Sequence, residues 1–81
     1  MYDVYVLWNQ IDNWLYKGLT NKLDRRLKQH RKGQVSGTGH HLPVELVYRR
    51  SFQSRQEARE YEKCLKSGVG REWLRQYLTS T

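Results

Sequence analysis

Two short apolar stretches open the chain. Residues 2 to 8, Tyr-Asp-Val-Tyr-Val-Leu-Trp, are β-branched and aromatic, the composition of a strand. Asn9, Asp12 and Asn13 are turn formers. Residues 14 to 19, Trp-Leu-Tyr-Lys-Gly-Leu, read as a second strand, so the two form an antiparallel hairpin. A register centred between Gln10 and Ile11 sets Tyr5 opposite Tyr16, with both rings on one face of the sheet. Thr20 or Asn21 is placed to cap a helix running to about Lys32, and Gly33 is a natural stop.

The polar stretch 33 to 43, with Gly, Ser, Thr, His40, His41 and Pro43, reads as a loop. Residues 44 to 50, Val-Glu-Leu-Val-Tyr-Arg-Arg, read as a third strand. Ser54-Arg-Gln-Glu57 is a capping box that starts a helix running to about Lys66, where Ser67-Gly68-Val69-Gly70 ends it. Trp73, Leu74, Tyr77 and Leu78 recur at helical spacing and predict a short last helix over 71 to 78. Trp14 and Trp73 are expected in the core. The order β-β-α-β-α-α is that of an α/β (α+β) sandwich around a small sheet.

A chain of 81 residues is read as one domain, residues 1 to 81, with a modest core. The lone Cys64 excludes an internal disulfide and has no partner at zinc-ligand spacing. With no signal peptide, the expected compartment is a reducing cytoplasm. No apolar run approaches the length of a membrane span. Apolar content of 37% and aromatic content of 12% exclude a disordered chain.

Charge sharpens the picture. Lys17, Lys22, Arg25, Arg26, Lys28, Arg31 and Lys32 stand against Asp24 alone, so residues 17 to 33 hold +6 of a net +7. A localised basic patch points to a polyanion, usually nucleic acid. On the first helix, Leu23 and Leu27 define the buried stripe at about 100° per residue, and Arg25 points to the opposite side. Arg26 falls on the shoulder of the stripe and His30 on its buried side, one turn apart. An arginine at such an edge presents its guanidinium to a phosphate in a fixed geometry. On the second long helix, Ala58, Tyr61 and Leu65 form the stripe, Glu60 is solvated, and Glu57 and Glu62 border the stripe on opposite sides. Glu57 belongs to the capping box, which leaves Glu62 for a salt bridge or a metal. Lys17 and Arg26 are candidate cations to lower the pKa of the Tyr5 and Tyr16 phenols. Ser36, Thr38, His40 and His41 lie in a loop read either as a contact to a phosphate backbone or as a flexible solvent loop. Together these are parts for phosphodiester hydrolysis: a carboxylate for a hard metal, an arginine for developing charge, and hydroxyl or imidazole groups to handle water.

At this point the chain resembles the GIY-YIG endonuclease superfamily, and is most similar to its short, single-domain bacterial members. The resemblance covers roughly residues 2 to 77. It rests on Val4-Tyr5-Val6-Leu7, Leu15-Tyr16-Lys17-Gly18-Leu19-Thr20-Asn21, and Leu23 to His30. It continues through Pro43 to Tyr48, Glu57-Ala58, Glu62 to Gly68, and Gly70-Arg71-Glu72-Trp73-Leu74. Asp3 replaces the first motif's glycine, and Lys17 the isoleucine of the second.

The resemblance implies a three-stranded antiparallel sheet flanked by helices. It implies that Tyr5 and Tyr16 are the motif tyrosines, Gly18 the following glycine, Arg26 the catalytic arginine and Glu62 the single metal ligand. His30 stands at the family's histidine or tyrosine position, four residues after the arginine. The implied chemistry is in-line attack of water on a DNA phosphodiester with one Mg²⁺ or Mn²⁺, assisted by Tyr5, Tyr16 or His30, in DNA repair, recombination or processing. Lys17, Lys22, Arg25, Lys28, Arg31, Lys32 and His40 are the candidate nucleic-acid contacts. The competing readings are a catalytically silent nucleic-acid-binding module of the same fold and a binder of an acidic protein. No separate DNA-binding domain is recognised, so weak, salt-sensitive binding or delivery by a partner protein is expected. A monomer is the simpler expectation.

Overall fold

The hairpin forms, but in a register two residues away from the expected one. The structure, a computed structural model, describes residues 1–35, 38–39 and 41–79. Strand β1 (Tyr2–Asn9) pairs antiparallel with β2 (Trp14–Thr20), and Tyr5 stands opposite Gly18 while Tyr16 stands opposite Leu7. The turn chemistry sets this offset. The Asn9 side-chain oxygen accepts the N–H groups of Ile11 at 2.8 Å and Asp12 at 3.2 Å, and Asn13 takes the left-handed conformation at φ 55°. A slip of two residues preserves the alternation of faces, so Tyr5 and Tyr16 still share one side.

Helix α1 (Leu23–Arg31) follows, then β3 (Glu45–Phe52), α2 (Arg55–Lys66) and α3 (Gly68–Thr79). The sheet order is β2-β1-β3, with both pairings antiparallel and a bulge at Val6/Leu7 where β1 meets β3. The predicted element order and three-stranded sheet are therefore present. Helix α1 has Lys22 as its N-cap with no side-chain cap. Thr20 is spent one step earlier, accepting the Lys22 N–H at 3.1 Å. Gly33, at φ 73°, closes the helix as expected. Ser54 caps α2 by accepting the Glu57 N–H at 3.2 Å, and the Glu57 carboxylate accepts the Ser54 hydroxyl at 3.0 Å.

The sheet separates two packed layers. Tyr5 and Leu7 project from β1 onto Leu23 and Leu27 of α1. Val4 and Val6 project to the other side, onto Ala58 and Leu65 of α2 and Leu74 of α3. Alternation along β1 thus supplies both cores, and its residues 4 to 7 are all buried.

Helix α3 begins at Gly68, three residues before the expected start. Ser67 makes the junction: its hydroxyl accepts the Gly70 N–H at 3.2 Å. A Cβ on Gly70 would lie 2.0 Å from the Cys64 carbonyl oxygen, so the glycine permits α3 to turn tightly against the end of α2. Gly70→Ala is expected to destabilise the fold by roughly 1–3 kcal/mol or more, because backbone rather than a flexible side chain must move. Urea unfolding of the variant measures this. Trp73 is not in the core. It is 42% exposed, stacked on Tyr77 with centroids 5.3 Å apart and edge-on to Tyr48. Leu74 takes the buried position of that helix instead.

Candidate functional site

The α1 side of the sheet gathers the predicted aromatic and basic residues. Tyr5 and Tyr16 have ring centroids 6.1 Å apart, and His30 meets both edge-on, at 5.7 Å from Tyr5 and 4.9 Å from Tyr16. Gly18 makes this cluster possible. A Cβ there would lie 2.6 Å from both Cζ and the hydroxyl of Tyr5, and 2.9 Å from Cε1 of Tyr16. The Tyr5 ring occupies the space where any other residue on β2 would carry a side chain.

Behind the tyrosines runs a buried chain of hydrogen bonds. Tyr5, His30 and Thr38 are all fully buried. The Thr38 hydroxyl donates to the Val35 carbonyl at 3.3 Å, so its oxygen accepts from Nδ1–H of His30 at 2.9 Å. That fixes the tautomer: Nε2 of His30 carries a lone pair and accepts the Tyr5 hydroxyl at 2.9 Å. Thr38 was expected in a solvent loop facing phosphate, and it is instead the inner anchor of this chain. His41, from the same loop, stacks on Trp14 at 3.9 Å and pairs with Asp12 at 2.7 Å. Trp14 is accordingly half-buried against that imidazole, not in the core. Ser36 and His40 lie outside the described residues.

Burial decides the protonation states here. The Tyr5 phenol is pushed up to about 12, chiefly by loss of solvent, which outweighs the lowering effect of Arg26. The expectation of a phenolate favoured by a nearby cation therefore fails for Tyr5. His30 is held below the ordinary imidazole value, first by burial and then by the Arg26 charge. Folding favours neutral His30, so its contribution to stability is complete above the unfolded pKa of about 6.5 and is lost as pH falls below it. His30→Gln is expected to shrink the difference in urea stability between pH 7.5 and 5.5. An unchanged difference would show that His30 is not the group being titrated.

Arg26 is the half-buried member that reaches the surface. Its guanidinium lies beside the Tyr5 and Tyr16 phenols, which raise its pKa, Tyr5 most. One arm donates to Gln29 Oε1 at 3.2 Å. Lys22, Arg25, Lys28, Arg31 and Lys32 are exposed on or beside α1, as a solvated basic face requires.

Lys17 and Glu62 belong to the other layer. Strand alternation turns Lys17 away from Tyr16, and burial, then Arg71 and Lys66, lower its pKa. It therefore joins the cations of α2 and α3 rather than those of α1. Glu62 is on α2, which packs across β1 and β2. Its side chain is 17% exposed, and its ion pair is with Lys66, one turn on, at 3.8 Å.

A model of the GIY-YIG catalytic domain matches residues 1–76. The chain belongs to the GIY-YIG family. Its relatives include a UPF0213 protein of Clostridium perfringens, 39% identical over 78% of this chain and 68% of that protein. Another, from Natronomonas pharaonis, is 38% identical over 79% of this chain and 75% of that one. The chain spans only about half, 52%, of a Bacillus velezensis UPF0213 protein to which it is 42% identical. The solution NMR structure of a Bacillus halodurans UPF0213 protein has a TM-score of 0.57 and 33% identity, covering 95% of this chain and 85% of that one.

The GIY-YIG assignment places the chain in a nuclease family and gives the cluster its frame. The two motif departures have structural accounts. Asp3 accepts a hydrogen bond from Ser51 across the β1–β3 pairing and lies 3.7 Å from Nε of Arg49, so its carboxylate has local partners on β3. Lys17 faces the layer opposite the tyrosines, where it leaves Tyr16 and Gly18 undisturbed. Two features were not visible in the sequence: Thr38 as the partner of His30, and Arg55, which shares a cleft with Arg26.

Proposed function

We propose that this chain is a metal-dependent endonuclease that hydrolyses DNA phosphodiesters. One observation carries the reading. Arg26 stands half-exposed against two phenols, and among the described residues no carboxylate pairs with it. A guanidinium held by neutral groups keeps its full charge for an incoming phosphate.

Burial divides the labour. Arg26 and the half-buried Tyr16 face the substrate, Arg26 binding a phosphoryl oxygen and Tyr16 orienting the attacking water. Tyr5 and His30 act from behind as positioning residues: Tyr5 steadies Arg26, and neutral His30 holds the Tyr5 proton. The exposed cations Lys22, Arg25, Lys28, Arg31 and Lys32 contact neighbouring phosphates.

Glu62 suits a hard divalent cation. It is a mostly buried carboxylate whose one ion pair among the described residues, with Lys66, is long at 3.8 Å, and among the same residues no cluster of three metal-ligating side chains occurs. A site with one protein carboxylate fits Mg²⁺ or Mn²⁺, which keep several waters and share substrate oxygens. Glu62 would hold such an ion from the α2 side of the sheet, and the ion would supply Lewis-acid stabilisation of charge on substrate oxygens. The exposed free Cys64 suits a reducing cytoplasm. No helix among the described residues is long and apolar enough to cross a membrane.

The Glu62–Lys66 pair favours a second reading, a binding module of the same fold without turnover. A panel of labelled single-stranded, duplex, flap and branched DNAs, incubated with Mg²⁺ or Mn²⁺ at low salt, separates the two. Metal-dependent cutting that Glu62→Gln abolishes is the expected outcome. Binding without cutting, unchanged in Glu62→Gln, would leave the module.

A further inference from the structure

Where β2 ends, Thr20 and Asn21 line an open polar cleft together with Tyr2, Leu19, Arg26 and Arg55. The two arginines come from different helices: Arg26 from the first turn of α1, and Arg55 as the first residue of α2. No carboxylate lines the cleft, and neither arginine takes part in the ion pairs found among the described residues. Two cationic side chains lining one cleft favour an anion between them. Their planar forks match the oxygens of a phosphate. The Thr20 oxygen accepts the Lys22 N–H, which leaves the Thr20 hydroxyl hydrogen free to donate, and Asn21 adds an amide. Tyr2 and Leu19 supply an apolar wall against which a sugar can lie.

We propose that this cleft binds a second backbone phosphate, next to the one held at Arg26 and Tyr16. Arg55 is its principal ligand, and Arg26 bridges the two positions. The inference rests on the reading that Arg26 handles phosphate. It adds a specificity: the protein selects a strand with consecutive phosphates over an isolated phosphodiester.

The test measures binding of a short single-stranded DNA in EDTA across a salt series, for wild type, Arg55→Gln and Arg59→Gln. Arg59 is exposed on the same helix but outside the cleft. Losing one charged contact is expected to weaken binding about tenfold in Arg55→Gln. The slope of log K against log salt should shrink by about 0.7, the value for one single-strand phosphate. Arg59→Gln is expected to change neither. Replacing the relevant linkage with a neutral methylphosphonate should erase the difference between wild type and Arg55→Gln. Equal effects of the two arginine substitutions would overturn the proposal, as would a wild-type advantage that survives at every methylphosphonate position. The nuclease reading fails separately. An Arg55 effect on binding with no cutting by wild type removes the nuclease and keeps the site. Cutting with a silent Arg55→Gln removes the site and keeps the nuclease.

Discussion

Arg26→Lys is expected to slow phosphodiester cleavage by about 10²-fold or more, the usual cost of losing one preorganised transition-state contact. Lysine keeps the positive charge, so general attraction for DNA should change little. The planar fork is what disappears, and with it the ability to touch Tyr5, Gln29 and a phosphoryl oxygen in one fixed arrangement. The loss should therefore fall on kcat more than on KM. Single-turnover cleavage with saturating DNA gives the number, and thermal unfolding checks that the fold is intact. A full rate in the lysine variant would mean that Arg26 does not meet the reacting phosphate.

Gly18→Ala is the second large expectation. The new methyl group would sit 2.6 Å from the Tyr5 hydroxyl and ring, well inside contact distance. Tyr5 is fully buried, so its ring has nowhere to retreat without disturbing His30 and Leu27. Overpacking of this kind costs roughly 1–3 kcal/mol. Activity should fall further than stability, because the displaced phenol releases both Arg26 and His30. The clash is specific to one pair, which makes it measurable. In a Tyr5→Val background the same substitution should cost much less, and a double-mutant cycle on urea stability reports the difference. Additive costs would show that Gly18 is needed for its backbone alone.

Much of this architecture is readable from side-chain pattern. Alternation in β1 and β2 places Tyr5, Tyr16 and Gly18 on one face whether Tyr5 stands opposite Tyr16 or Gly18, since a slip of two residues leaves the faces unchanged. The helical positions of Arg26 and His30 follow from Leu23 and Leu27. The register itself depends on Asn9 and Asn13, whose roles become apparent only when the turn is closed. The start of α3 was hidden for a related reason. Gly-Val-Gly reads locally as a breaker, whereas here Gly70 is needed because α3 passes the Cys64 carbonyl so closely. The proximity of Arg26 to the phenols was foreseeable, but the state of Tyr5 was not. Burial is a property of the assembled layers, and it outweighs the neighbouring charge. Arg55 meets Arg26 across a long stretch of chain, and Thr38 meets His30 from beyond the end of α1, where no periodicity announces the contact.

The sheet order has a consequence for how the molecule comes into being. Tyr5, Tyr16, Gly18, Arg26 and His30 all lie within a hairpin and the helix that follows it, and their packing partners Leu7, Leu23 and Leu27 lie there too. Contacts so close in sequence close quickly. Helix α2, which brings Arg55 and Glu62 and packs onto β1 and β2, follows β3 in the chain, and β3 lies on the far side of β1. During synthesis from the N-terminus, the arginine and its tyrosines are therefore expected to be in place before the carboxylate arrives. Leu27→Ala should then slow refolding, while Leu74→Ala mainly speeds unfolding. A nascent chain would hold phosphate before it could cut it.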